Sequence, residues 1–130
     1  MFREIDVATG EVRVASGEAV IVANALGSCV AVVAFDPGAC AGGIAHIMLP
    51  GRAPNKYSVE KCRYAVNAID ELLCRLAAFG VRKESLAVVL AGAGNVLMRN
   101  DDTVCVANIT SVRATAAQRG LLVRNEALGG

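Results

Sequence analysis

Cys29 in the run LGSCV (Leu26 to Val30) and the chain's only histidine, His46, in the run GGIAHIMLP (Gly42 to Pro50) are the residues whose types could do covalent chemistry together. A thiol and an imidazole held within hydrogen-bond reach are the minimum machinery for nucleophilic attack on an amide carbon. A free thiol titrates near about 8.5, so at neutral pH only a small fraction is thiolate unless a neighbouring base takes the proton. His46 is the candidate base, Cys29 the candidate nucleophile, and the backbone N–H groups around Gly27 and Ser28 are the first candidates for receiving an oxyanion.

The elements that must bring the pair together are two apolar runs, CVAVVAF and IAHIML, joined through Asp36-Pro37-Gly38. Pro suits the first central position of a type II turn and Gly the positive φ of the second, so the segment reads as a β-hairpin. A turn centred between Pro37 and Gly38 puts Cys29 directly opposite His46 on antiparallel strands, with Cβ atoms about 4.5–5.5 Å apart. A loop longer by two residues leaves them diagonal on one face, and an odd change puts them on opposite faces.

Each feature has a competing structural reading. A cysteine in an apolar strand is commonly an inert core residue, and this is the reading for Cys40, Cys62, Cys74 and Cys105; Cys62 and Cys74 fit the buried stripe of a helix. A lone histidine on an apolar strand is commonly a satisfied core residue. Cys29 stands apart because Gly27-Ser28 makes a sharp entry to its strand. Gly42-Gly43 before His46 reads as a bulge or as room for a ligand backbone.

Composition bounds the rest. A chain of 130 residues with a net charge of +1 is read as one domain spanning residues 1–130, large enough to fold around a single core without staples. No basic run and few aromatics leave nothing to form a nucleic-acid groove or a polybasic membrane patch. No apolar stretch approaches the roughly 20 residues that span a bilayer, so neither nucleic acid nor membrane insertion is expected and the expected location is the cytoplasm. Five cysteines without CxxC spacing argue for free thiols rather than a disulfide framework or a zinc site, so no metal and no cofactor are expected. The Gly92-Ala93-Gly94 segment lacks the spacing of a phosphate-binding loop and reads as tight packing.

Along the chain, short β-type runs come first: Glu11 to Ala15, Ala19 to Ala23, Cys29 to Phe35 and Ile44 to Leu49. The period then changes. A helix capped at Ser58, with Glu60 in its first turn and apolar residues at helical spacing to Leu76, ends at Gly80. Glu71 and Arg75 form an i,i+4 pair on it. Leu86 to Leu90 is a buried strand, a second helix runs from Asn108 or Thr110 to Arg119 before Gly120, and a last strand lies around Leu121 to Arg124. The expected fold is α+β, a layered sandwich with two helices on a mostly antiparallel or mixed sheet.

These residues carry a resemblance. LGSCV, a D-P turn, GGIAHIMLPG, Lys56-Tyr57 and an alanine-bearing helix, followed by AGAGNVL, Asn108 and Leu128-Gly129-Gly130, resemble the chemoreceptor glutamine deamidases known as CheD, from about Val12 to Gly130. The resemblance implies a sandwich shared with toxin-type cysteine amidohydrolases. It implies hydrolysis of glutamine side-chain amides on chemoreceptor cytoplasmic helices, with Cys29 and His46 as the catalytic pair. It also implies a partner, a CheC-type phosphatase of the chemotaxis response regulator, and makes Tyr57 and Asn108 pocket-lining candidates.

The departures from that pattern matter as much. The family usually places a threonine six residues before the nucleophile, where this chain has Ala23; Ser28 and Asn24 are the nearby polar side chains. The family's arginine beside Asn108 is Ala107, the acidic residue before Gly-Gly is Ala127 with Glu126 one position earlier, and a glycine is replaced by Ala25. An imidazole without an orienting partner samples unproductive tautomers. Three readings therefore stand: an active deamidase, a weakly active or non-catalytic adaptor for a phosphatase or receptor helix, and a cysteine hydrolase of another amide or ester.

Overall fold

A five-stranded sheet in the order β2-β5-β4-β6-β7 forms the centre of the computed structural model, which describes residues 3–23, 28–55, 59–92 and 103–128. Its strands are β2 (Val12–Ser16), β4 (Val30–Asp36), β5 (Ala41–Ile47), β6 (Ala87–Gly92) and β7 (Leu122–Leu128). The β2–β5, β5–β4 and β4–β6 pairs are antiparallel and β6–β7 is parallel. A separate parallel pair joins β1 (Arg3–Asp6) with β3 (Ala19–Val22).

The two faces of the sheet bury different things. Val30, Val32 and Ala34 of β4 and Ala45 and Ile47 of β5 pack on helices α1 (Ala65–Ala77) and α2 (Thr103–Gln118). The alternate residues, Ala31 and Ile44 with half-buried Val33, join Val7, Ile21 and Ala23 in a second cluster on the side of β1 and β3. The result is an α+β layered sandwich, with two helices on one face of a mixed sheet.

Helix α1 forms because Ala65, Ala68, Ile69, Leu72 and Leu76 recur on one face and are all buried. Gly43 lets it come close: a Cβ there would stand 2.9 Å from Leu72 Cδ1 and 2.6 Å from the Arg13 carbonyl oxygen. The Gly42-Gly43 pair therefore serves, at Gly43, helix-on-sheet packing rather than ligand room. Gly80, at φ 79°, ends the segment, with Gly80 N–H donating to Ala77 O and Val81 N–H to Leu76 O, the Schellman pattern.

Several expectations need correction. Helix α1 begins at Ala65 rather than near Ser58, which lies outside the described residues. Tyr64 is extended and bridges Leu49, with Met48 and Leu49 N–H both bonded to Arg63 O, so a strand-like contact displaces the first helical turn. Only a 3₁₀ turn, Lys61–Arg63, precedes it. Cys74 is exposed, because residues midway between Leu72 and Leu76 point away from the stripe. Cys40 is exposed too, at the hairpin loop. Helix α2 begins at Thr103, earlier than expected, since the β-branched run TVCVANIT obscures it; tertiary burial of Cys105, Asn108 and Val112 overrides that preference. β7 runs on to Leu128, and β1 was not anticipated.

Candidate active site

The hairpin register sets the relation of Cys29 to His46. Ala31, not Cys29, lies opposite His46, and the last pair before the loop is Asp36 with Ala41. The loop is therefore longer by two residues than a turn centred on Pro37-Gly38. Asp36 Oδ1 accepts from Gly38 N–H at 3.0 Å, Cys40 N–H donates to Pro37 O, and the positive φ falls on Cys40 (50°) rather than Gly38. The Asx bond from Asp36 winds the loop so that Pro37 to Cys40 all stay outside the ladder.

This register puts Ala31 beside His46 on one face. Val30 is buried against the helices, and Cys29 immediately precedes the strand, which begins at Val30. Cys29 is half-buried, open enough for a substrate, whereas His46 is 1% exposed.

His46 is held at three atoms by one N-terminal segment. Its N–H donates to Glu11 O at 3.0 Å and its carbonyl accepts from Gly10 N–H at 2.9 Å. Its Nδ1 lies 3.1 Å from the Val7 carbonyl oxygen. A carbonyl can only accept, so Nδ1 carries the hydrogen in this contact and the neutral ring keeps its lone pair on Nε2. Nε2 is buried without a hydrogen-bond partner among the described residues, the Cys29 thiol included. Burial pushes the Cys29 thiol above its usual range, and hydrogen bonding with the Thr9 side chain opposes that rise.

A second brace comes from α2. Asn108 is fully buried, and its Nδ2 donates to Ser28 O at 3.0 Å and to Met48 O at 3.1 Å. Both donors thus join the residue before Cys29 to the end of the strand that carries His46. Sequence reasoning made Asn108 a pocket-lining residue; its observed contacts are with backbone rather than with open space. Ser111 Oγ accepts from Gly51 N–H at 2.7 Å and fixes the next loop in the same way. Ser28 is half-buried, and Gly27, Asn24, Ala25 and Tyr57 lie outside the described residues.

Val7, Thr9 and Gly10 were missed. A Thr-Gly pair followed by Glu is a turn signal that could have found them, but nothing local says that the turn lands on His46. Among the described residues no group of three or more His, Cys, Asp or Glu is placed to hold a metal ion, and no helix is long and apolar enough to cross a membrane.

Comparison with known proteins bears on this arrangement. The model of the family described as CheD chemotactic sensory transduction matches residues 48–130. A probable chemoreceptor glutamine deamidase CheD from Methanococcus maripaludis is 40% identical over 107 residues, 81% of this chain and 69% of that protein. The chain belongs to the CheD family. A CheD of the same description from Chlorobium luteolum is 39% identical over 122 residues, 94% of this chain and 61% of that protein. One from Rhizobium meliloti is 30% identical over 129 residues, 98% of this chain and 70% of that protein. The chain thus spans under two thirds of the length of the Chlorobium CheD, and the latter two matches take in Cys29 and His46, which the family model does not reach.

Proposed function

We propose that this CheD chain is a cysteine amidohydrolase that converts glutamine side chains on the cytoplasmic helices of chemoreceptors to glutamate. The observation that carries the reading is the buried His46 ring, tied through Nδ1 to the Val7 carbonyl, with an Nε2 that has no partner among the described residues. An imidazole held in that tautomer is set to accept a proton. The Cys29 thiol, raised by burial, needs a base to become a nucleophile.

The chemistry follows from those two groups. Nε2 takes the thiol proton, and Cys29 Sγ bonds to the carboxamide carbon, whose oxygen becomes the oxyanion. Backbone N–H groups near Gly27 and Ser28 are the candidates to receive it. Collapse breaks the C–N bond, and the imidazolium gives its proton to the leaving nitrogen, releasing ammonia. Water, deprotonated by His46, then attacks the thioester; the C–S bond breaks, glutamate leaves, and the proton returns to sulfur. The chemistry requires no metal or organic cofactor.

Mass spectrometry of a purified receptor cytoplasmic fragment tests this. Glutamine-to-glutamate conversion that disappears in Cys29→Ala and in His46→Ala is the expected result; equal conversion by wild type and Cys29→Ala refutes it. A second reading, an adaptor that binds a CheC-type phosphatase or a receptor helix without turnover, is favoured by the absence of a Cys29–His46 hydrogen bond in the structure. Binding of the fragment with no mass change would select it.

A further inference from the structure

Helix α2 reaches the nucleophile through the Ser28–Cys29 peptide. Asn108, fully buried on that helix, meets two carbonyl oxygens, Ser28 O at 3.0 Å and Met48 O at 3.1 Å. Carbonyls only accept, so the amide nitrogen must face both, and Asn108 enters the site as a double donor. Its Oδ1 has no partner among the described residues. An amide buried with one end unpaired costs stability that an apolar side chain of the same shape would not, so what the residue contributes lies in its two donations.

A trans peptide is planar, with its C=O and N–H pointing in opposite directions, and no peptide bond among the described residues is cis. Holding the Ser28 carbonyl toward α2 therefore turns the Cys29 N–H away from α2. The helices cover the sheet face of Val30, Ala45 and Ile47; the His46 ring lies on the other face, where its Nδ1 meets the carbonyl of Val7. Cys29 is half-buried and precedes the β4–β5 ladder, which begins at Val30. Among the described residues its N–H has no backbone acceptor. We infer that Asn108 is a positioning residue that aims the Cys29 N–H as an oxyanion donor, by gripping the carbonyl at the other end of the same peptide. On the amidohydrolase reading, on which this rests, Sγ adds to the carboxamide carbon and the C=O π pair moves onto oxygen. The N–H of the nucleophile's own residue is within reach of that oxygen and stabilises the charge as it forms. The bond to Met48 O ties the same side chain to the end of the strand that carries His46, so donor and base keep one frame.

Deamidation kinetics on a purified receptor cytoplasmic fragment, set beside alkylation of Cys29 by iodoacetamide, test the assignment on the full chain. Alkylation displaces iodide at a saturated carbon and forms no oxyanion, so it reads the thiol alone. In Asn108→Leu, which keeps the shape and removes both donors, and in Asn108→Ala, kcat should fall at least about tenfold with KM little changed. The rate and pH profile of Cys29 alkylation should stay at the wild-type values in both. Val112→Ala opens a cavity on the same buried helix face one turn on and controls for loosening of α2; its kcat should stay near wild type. Wild-type kcat in either Asn108 variant overturns the inference, as does an equal fall in Val112→Ala. Alkylation that slows in step with kcat also overturns it, because the effect would then lie on the thiol. No conversion by the wild-type protein removes the proposed function and this inference together, whereas wild-type conversion that survives intact in Asn108→Leu removes the inference alone.

Discussion

Replacing Asn108 should do more damage through charge than through size. In Asn108→Ala the Ser28 and Met48 carbonyls each lose a donor. At about 1 kcal/mol net per bond, plus a small cavity and less the relief of an Oδ1 without a partner among the described residues, the loss is about 2–3 kcal/mol. Asn108→Asp retains the shape but aims a carboxylate at two carbonyl oxygens in a fully buried place, so it should cost more at neutral pH. Burial and the two carbonyls disfavour its charged form, so its folded-state pKa would be raised. The sign follows: the protonated acid can still donate one bond, and stability relative to wild type is best at low pH and falls as pH rises through the raised value. Urea denaturation at several pH values is the assay. Both variants should lower the midpoint without altering the slope, Asp more than Ala at neutral pH, with the gap narrowing on acidification. If Asn108→Asp matches wild type at neutral pH, Asn108 does not brace the two strands.

Two further outcomes follow. Gly43→Ala should destabilise by about 1–3 kcal/mol in the same assay, because its Cβ meets the Arg13 carbonyl and Val14 Cγ1 at 2.6 Å, and backbone cannot move aside as a flexible side-chain end can. Glu11 has its carboxyl held below the usual 4.5 by the Ala8 N–H and then by Arg13. Its contribution is therefore present above that usual value and disappears as pH falls through the depressed one, so a stability gap between wild type and Glu11→Gln at neutral pH should close in acid; a gap that persists unchanged at acid pH would refute the assignment.

The parts of the fold that were legible share a short range. The β4–β5 hairpin, the α1 stripe from Ala65 to Leu76 and the stop at Gly80 are all written in neighbouring residues, and each is found. The failures have physical causes. Ser58 and Glu60 look like a helix start, yet the Tyr64 bridge to Leu49 holds the chain extended one element later. The run from Thr103 to Thr110 is rich in β-branched residues, and its helix exists because Cys105, Asn108 and Val112 find a core to enter. β1 pairs with β3 across an intervening strand, and a short polar run such as Arg3 to Asp6 carries no signal of that partner.

The candidate site divides along the same line. The hairpin that relates the strand of His46 to the one Cys29 precedes is legible, and its loop is longer by an even number of residues than the simplest turn. What orients them is not local: the Val7 carbonyl that fixes the His46 tautomer is 39 residues away, and Asn108 reaches Met48 across 60 and Ser28 across 80. A missing threonine at position 23 therefore does not decide whether this site is built, because the base is oriented by a backbone carbonyl that no side-chain substitution removes. A peptide carbonyl can set the tautomer as a carboxylate or hydroxyl would.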